Sequence, residues 1–282
     1  MSKLKQRLLV FFIGGPITVS IAFLPYFDYL ALYLVTSVFS FLCARELHTL
    51  FSKKLSVQPS WLFISACTIV PLSTYLIPLF GLSNNIIYNT VIITTLFCCA
   101  FEIFNTVHKE NFEKVFTNIA TTSFGILYLG LFPTFIIQVS YHEYATIFIA
   151  IFLILVILCD SSAWFFGMLF GKGNRGLIKV SPNKSIAGYI GGILSTMAMG
   201  AILYFIFNDA LKNIYYVIIT AFVVSICSIL GDLFESALKR AGANKDSDVG
   251  GMGIPGRGGF LDSLDSMYFT APVYYMLVSL FF

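Results

Sequence analysis

Charged residues are scarce in this sequence: Asp, Glu, Lys and Arg together make up 11% of its 282 residues, and 58% of the residues are hydrophobic. A soluble domain usually has about 25% charged and about 45–50% apolar residues, so this composition argues against a soluble protein. Stretches of alternating polarity, which build membrane β-barrels, are also missing. Long apolar runs such as IIYNTVIITTLFCCAF occur instead, and they favour helices that cross a bilayer.

Cysteine and histidine form no metal-binding pattern in the sequence. All six cysteines lie in apolar runs without a CxxC pair, and the three histidines are scattered. We therefore expect no zinc site and interpret the cysteines as small buried hydrophobic residues. The N-terminus starts with basic residues and continues as a long apolar run, which we interpret as an uncleaved first helix and not as a signal peptide.

The apolar runs predict an all-α, polytopic membrane protein of about nine transmembrane helices. We predict a single integral membrane domain over 1–282, with N-terminal membrane helices at about 1–140 and a catalytic membrane region at about 144–282. The predicted spans, whose ends are accurate to a few residues, are 8–27, 29–46, 60–80, 86–106, 116–139, 144–170, 187–208, 213–234 and 264–282.

The distribution of basic residues predicts the orientation in the membrane, since Lys and Arg are enriched in cytoplasmic loops. If the N-terminus is cytoplasmic, 16 of the 17 basic residues lie on that side and Lys212 alone lies on the other. Both large polar loops then face the cytoplasm, where nucleotides and anionic lipid headgroups are found.

The segment DSSAWFFGMLFGK places Asp160 inside an apolar span. An ionisable residue at such a place is costly and is a functional candidate, although a structural hydrogen bond within the helix bundle is the alternative. Gly167 and Gly171 form a GxxxG pattern, which is typical of close helix packing. The glycine spacing does not fit a Walker phosphate-binding loop, and no Ser or Thr follows Lys172.

The segment KVSPNKSIAGYIGG precedes another predicted span. Ser181 and its neighbours could simply cap a helix. A helix start with Lys179 and Lys184 beside it would also hold a phosphate group well, and a cap alone does not require the lysines. Gly188, Gly192 and Gly200 are spaced by multiples of four and predict a packing face.

The third segment runs from GDLFES through SALKRAGANKDSDVGGMGIPGRGGFLDSLDS and contains eight of the chain's charged residues in its last 31 positions. If the eighth span continues as a helix, Asp232, Glu235, Ser236 and Lys239 share one face. Asp262 and Asp265 share a face at the start of the last helix. Carboxylates of this kind suit Mg²⁺, while basic side chains and the glycine-rich backbone suit phosphates. A solvated surface loop is the simpler alternative.

These motifs resemble the signature of phosphatidate cytidylyltransferases, also called CDP-diacylglycerol synthases. That signature reads S-x-x-K-R, four residues, K-D, and then P-x-H-G-G-x-x-D-R-x-D. The matching residues are Ser236, Lys239, Arg240, Lys245, Asp246, Pro255, Gly258, Gly259, Asp262 and Asp265. The similarity covers about the C-terminal 120 residues, because DSSAWFFGMLFGK and SPNKS-x-x-G-x-x-GG also match. Arg257 replaces the family's His, Ser263 replaces its Arg, and about three additional residues lengthen the loop near 250–253.

The resemblance implies transfer of a cytidylyl group from CTP to phosphatidate, with Mg²⁺ as cofactor; whether a monovalent cation such as K⁺ also binds is left open. The implied catalytic residues are Asp232, Lys239, Arg240, Asp246 and Asp262. The implied substrate-binding residues are Ser181, Lys184, Lys245, Arg257, Gly258 and Gly259. The implied metal ligands are Asp232, Asp262 and Asp265.

The resemblance also implies a homodimer that works on inner-leaflet lipids in a bacterial cytoplasmic membrane, and we expect no nucleic-acid partner. Two other functions stay open on the sequence alone. A CTP-dependent kinase of a lipid alcohol would release CDP and not pyrophosphate. A transporter could use the intramembrane acids Asp160 and Glu102, although the sequence shows no internal repeat of the kind many transporters have.

Overall fold

A computed structural model of the chain describes residues 16, 20, 24–107, 112–176, 178–242 and 258–282. Within these ranges every regular element is a helix, and the one extended pair is an isolated bridge between Arg175 and Ser185. The predicted all-α, polytopic fold is therefore confirmed. The first predicted span, 8–27, lies almost wholly outside the described residues.

The described chain contains eleven α-helices. In chain order they are α1 (Tyr26–Phe51), α2 (Ser60–Thr74), α3 (Leu76–Phe80), α4 (Asn85–Val107), α5 (Val115–Gly125), α6 (Phe132–Gln138), α7 (Ala145–Phe170), α8 (Ile186–Ile206), α9 (Asn208–Leu211), α10 (Ile214–Ala241) and α11 (Leu261–Phe281). A π-helical turn, Ile126–Leu131, joins α5 to α6, and a 3₁₀ turn, Val139–Tyr141, follows α6. The backbone at 27–29 is left-handed, so the regular part of α1 starts after Tyr29.

Six helical segments of the described chain are long and apolar enough to cross a membrane. They are Tyr26–Phe51, Asn85–Thr106, Val115–Tyr141, Ala145–Phe170, Ile186–Ile206 and Ile214–Ala241. The predicted span 60–80 is divided at Tyr75 into α2 and α3, and α2 has only 15 residues. The predicted span 264–282 forms α11 but is not among the six. The count of nine thus stays a prediction.

The described chain divides into two compact units, and the division falls inside α6, α10 and α11. The first unit comprises the described part of Met1–Pro25, together with Gln138–Leu238 and Leu264–Phe282. Its core forms where α7 meets α11: Phe148 and Phe152 are buried, the Phe152 ring lies 5.1 Å from the ring of Tyr274, and the Tyr274 hydroxyl donates to the Phe148 carbonyl at 2.7 Å.

The second unit comprises Tyr26–Ile137 and the described part of Lys239–Ser263. Its core packs α2 against α4 and the π-helical turn through buried apolar side chains: Leu62, Ala66, Val70, Ile77, Ile87, Cys98 and Ile126. The Ser40 hydroxyl on α1 donates to the Leu129 carbonyl at 2.8 Å and contacts the Cys67 carbonyl at 3.2 Å. One small polar side chain on α1 thus links α1 to α2 and to the π-helical turn. The predicted single domain is not tested by this division.

Candidate active site

Glycine residues on α7 and α8 let these two helices approach closely within the first unit. A Cβ atom on Gly188 would lie 2.6 Å from the Ala163 carbonyl oxygen, and one on Gly191 would lie 2.4 Å from the Phe166 ring. On Gly167 and Gly171 it would meet the Ser185 hydroxyl at 3.0 and 2.9 Å. The packing role predicted for Gly167, Gly171 and Gly188 is confirmed, whereas the contact of Gly191 was not predicted.

Asp160 lies on α7 and is half-buried. Its Oδ1 accepts hydrogen bonds from the Ser228 hydroxyl on α10 at 3.0 Å and from the Ser266 hydroxyl on α11 at 3.2 Å. These bonds supply polar partners for a carboxylate in an apolar span and lower the cost of placing it there. Asp160 therefore ties three helices of the first unit together.

The loop between α7 and α8 directs a lysine to a carboxylate. The Lys184 N–H donates to the Ser181 carbonyl at 3.2 Å, which closes a turn through Pro182. Ser185, and not Ser181, caps α8, because its hydroxyl accepts from the Gly188 N–H at 3.1 Å. Lys184 takes no part in this cap. Its ammonium group forms an ion pair with Asp232 on α10.

Asp265 also belongs to the first unit and is 4% exposed. Its Oδ1 accepts from the Ser266 N–H at 2.6 Å. At this residue α11 approaches α10: a Cβ atom on Gly231 would lie 2.8 Å from the Asp265 carbonyl oxygen and 2.8 Å from Phe269 Cβ. Gly231, the chain neighbour of Asp232, thus allows α10 to contact α11 at Asp265.

A second lysine–carboxylate pair lies in the second unit. The Lys239 ammonium on α10 donates to Asp262 Oδ1 at 2.5 Å, with the side chains 15% and 6% exposed. Asp262 Oδ2 accepts from the Gly259 N–H at 3.0 Å. Gly258 has φ +100°, and a Cβ atom there would lie 2.2 Å from Asp262 Oδ2. A side chain at this position would displace the carboxylate, which explains why glycine precedes α11.

Glu46 is the residue of this site that the sequence reasoning missed. It lies on α1, and its two carboxylate oxygens accept from the N–H groups of Phe260 and Leu261 at 2.8 and 2.9 Å. The one signal in the sequence is an acid within the predicted span 29–46. Its partners are 214 and 215 residues away along the chain, so the pairing could not be read from local spacing.

Of the remaining predicted site residues, some are described by the structure and others are not. Arg240 is exposed near the end of α10. The Gly259 N–H, which we expected to approach a phosphate, is bonded to Asp262. Lys245, Asp246 and Arg257 lie outside the described residues, so their predicted roles stay predictions.

The carboxylate oxygens of Asp232, Asp262 and Asp265 fit Mg²⁺ by donor chemistry, because this ion prefers hard oxygen ligands. Within the part of the chain that the structure describes, however, no group of three or more His, Cys, Asp and Glu side chains is arranged to hold a metal ion. Asp232 and Asp262 each contact a lysine instead. Suitable donors are present, and the metal stays a prediction.

Comparison with known proteins finds relatives that are named phosphatidate cytidylyltransferase. The chain is 34% identical over 167 residues to the phosphatidate cytidylyltransferase of Bacillus subtilis (strain 168), covering 59% of this chain and 60% of that protein. It is 32% identical over 179 residues to the Thermotoga maritima protein of the same name, covering 62% and 64%. It is 37% identical over 126 residues to the Staphylococcus aureus (strain COL) protein of that name, covering 44% and 46%. The chain thus spans less than two thirds of the length of these curated relatives.

The family model described as "Cytidylyltransferase family" matches residues 5–281. That range includes both lysine–carboxylate pairs and the glycines at the contact of α7 with α8. Because the match extends over nearly the whole chain, the chain belongs to the cytidylyltransferase family.

Proposed function

We propose that the chain transfers the cytidylyl group of CTP to phosphatidate and releases CDP-diacylglycerol and pyrophosphate. Membership of the cytidylyltransferase family supports the reaction class, and the names of the three relatives support the substrates. The single structural observation behind the proposal is the pair of contacts Lys184–Asp232 and Lys239–Asp262.

These two contacts combine the side chains that phosphoryl chemistry needs. A lysine ammonium carries three N–H donors, so it can contact a carboxylate and a phosphate oxygen together. Lys239 and Asp262 are largely buried, which strengthens their interaction with charged ligands compared with the same groups in water. Each pair can therefore present positive charge to phosphates and negative charge to a cation.

The reaction requires little proton transfer. A phosphate oxygen of phosphatidate, already anionic at neutral pH, attacks the α-phosphorus of CTP and forms a new P–O bond. The bond from the α-phosphorus to the bridging oxygen of the β-phosphate breaks, and pyrophosphate leaves with its electron pair. The protein's contribution is to place the two phosphates in line and to stabilise the charge that builds up.

We assign roles to the residues on this basis. Lys239, Arg240 and Lys245 bind the CTP phosphates, and Lys184 with Ser181 binds phosphate from the loop before α8. Asp232 and Asp262 would hold Mg²⁺ with Asp265 as a third ligand. Asp246 would orient a lysine or a water, and Arg257, Gly258 and Gly259 would contact substrate. When bound, Mg²⁺ neutralises phosphate charge and favours pyrophosphate as a leaving group.

The proposed setting is a bacterial cytoplasmic membrane, with the N-terminus and the two polar loops in the cytoplasm. Phosphatidate enters from the inner leaflet, so its acyl chains stay in lipid while its headgroup reaches the lysines. We also propose that the chain works as a homodimer, which light scattering of the detergent-solubilised protein would test by its mass.

Label transfer tests the proposed reaction directly. The purified chain in detergent is incubated with Mg²⁺, phosphatidate and CTP labelled at the α-phosphate. We expect label in the lipid fraction and an equal amount of pyrophosphate in solution. Labelled CDP with no labelled lipid, in the presence of a lipid alcohol, would indicate a kinase. A folded chain that forms neither product from phosphatidate would contradict the proposal.

A further inference from the structure

Three consecutive backbone N–H groups at the start of α11 donate to carboxylate oxygens. The Gly259 N–H donates to Asp262, and the N–H groups of Phe260 and Leu261 donate to Glu46. The first N–H groups of a helix have no partner within the helix, and the helix dipole favours negative charge at this end. Glu46 supplies that charge from α1, a different helix of the same unit.

The geometry of Glu46 restrains both position and direction. Each of its two oxygens accepts one N–H from adjacent residues, at 2.8 and 2.9 Å. Two parallel bonds define an orientation, whereas a single bond allows rotation about itself. The Phe260 ring adds an apolar contact with α1, since it lies 6.1 Å from the ring of Phe39. The segment before α11 is therefore fastened to α1 by polar and apolar contacts.

This attachment reaches Asp262 directly. Leu261, whose N–H is held by Glu46, is the neighbour of Asp262 in the chain. The Asp262 carboxylate has one oxygen on the Gly259 N–H and the other on Lys239 at 2.5 Å. The preceding glycines bring no side chain to brace the segment, and Gly258 leaves room for the carboxylate. A shift of the α11 start would thus move Asp262 away from Lys239.

We propose that Glu46 is a positioning residue, which acts through Asp262 by holding the first turn of α11 against α1. This role depends on the proposed cytidylyl transfer, in which Asp262 binds Mg²⁺ and Lys239 binds phosphate. Glu46 itself does not touch the reacting groups. A purely structural cap would lower thermal stability when removed, but it would leave the turnover of the folded enzyme unchanged.

The test compares Glu46→Gln with Glu113→Gln, which changes an exposed acid in the same unit. Glutamine keeps the size of the side chain but replaces one acceptor oxygen with an NH₂ group, which cannot accept an N–H bond. We expect Glu46→Gln to lower kcat about 10- to 100-fold, the usual range for a residue that orients a metal ligand, while KM for phosphatidate changes less than about threefold. Glu113→Gln should behave like the wild type.

A second measurement does not depend on turnover. Magnesium is titrated in the presence of CTP, and the unfolding temperature of the detergent-solubilised chain is recorded. We expect Glu46→Gln to need at least about fivefold more Mg²⁺ for half of the wild-type shift. If the wild type shows no such shift, the positioning role is overturned, while the label-transfer experiment still decides the reaction separately.

A conservative variant keeps the inference testable if Glu46→Gln does not fold. Glu46→Asp retains both oxygens but withdraws them by one methylene, so we expect its kcat to fall below that of the wild type by less than about 10-fold. Its unfolding temperature should be similar to that of the wild type. Wild-type kcat and wild-type Mg²⁺ dependence in a folded Glu46 variant would overturn the proposal, even if that variant unfolds at a lower temperature.

Discussion

Among the single residues, Asp262 has the most closely specified surroundings of the predicted metal ligands. One oxygen accepts from the Gly259 N–H and the other from Lys239. Asp262→Asn keeps the shape but removes the charge that Mg²⁺ and Lys239 need, so we expect kcat to fall about 100-fold or more. Label transfer gives the rate, and gel filtration shows that the variant is folded. Asp209→Asn, which changes an exposed acid on α9, should retain wild-type activity.

Lys184 allows a second test, for which Lys172 in the same loop provides a matched control. Lys184 pairs with Asp232, whereas Lys172 is exposed. Because we assign phosphate binding to Lys184, Lys184→Gln should raise KM for a phosphorylated substrate about tenfold or more, since hydrogen bonds to charged groups contribute about 1.5–3 kcal/mol. Lys172→Gln should change KM less than about twofold. Equal effects in the two variants would show that general loop charge, and not the Lys184 contact, governs binding.

The sequence predicted the types of these residues better than their partners. An acid in an apolar span marked Asp160, and lysines before a helix marked Lys184. Which carboxylate each lysine contacts depends on how distant helices meet, as with Lys184 and Asp232, which are 48 residues apart. Glu46 was missed for the same reason, because the two N–H groups that it binds are more than 200 residues away along the chain.

Among the elements, the packing of α7 against α8 was the most predictable, since small residues at intervals of four indicate a close helix contact. The sequence predicted one helical face for Asp232 and Lys239 on the condition that the eighth span continues past its predicted end at 234. The structure fulfils this condition, because α10 extends to Ala241. The division at Tyr75 and the π-helical turn Ile126–Leu131 were not predicted. Both places lie inside runs whose overall hydropathy predicted single spans, 60–80 and 116–139, so hydropathy alone did not show the change.

Gly188→Ala tests the helix contact. The added methyl group would lie 2.6 Å from the Ala163 carbonyl oxygen, a backbone atom that cannot move without shifting α7. We expect a loss of about 1–3 kcal/mol in the free energy of unfolding, the usual cost of overpacking, and therefore a lower unfolding temperature in detergent. Ala198→Leu changes an exposed residue of α8 and should have little effect. An equally stable Gly188→Ala variant would mean that α7 and α8 do not approach this closely.

For the whole molecule, the basic residues predict the orientation in the membrane, and two exposed lysines of the first unit can test this prediction. Lys172 lies in the loop between α7 and α8, and Lys212 follows α9; between them lies α8, which is long and apolar enough to cross a membrane. Because Lys and Arg favour the cytoplasmic side, Lys172 should be inside and Lys212 outside.

Lys172→Cys and Lys212→Cys should therefore differ in their reaction with a membrane-impermeant maleimide. We expect intact spheroplasts to label Lys212→Cys and to leave Lys172→Cys unlabelled until the membrane is opened. The unsubstituted chain provides the background, which should be low because five of its six cysteines are buried. The opposite pattern would place the loop with Lys184 outside the cell, away from CTP. It would contradict both the orientation and a reaction that draws its nucleotide from the cytoplasm.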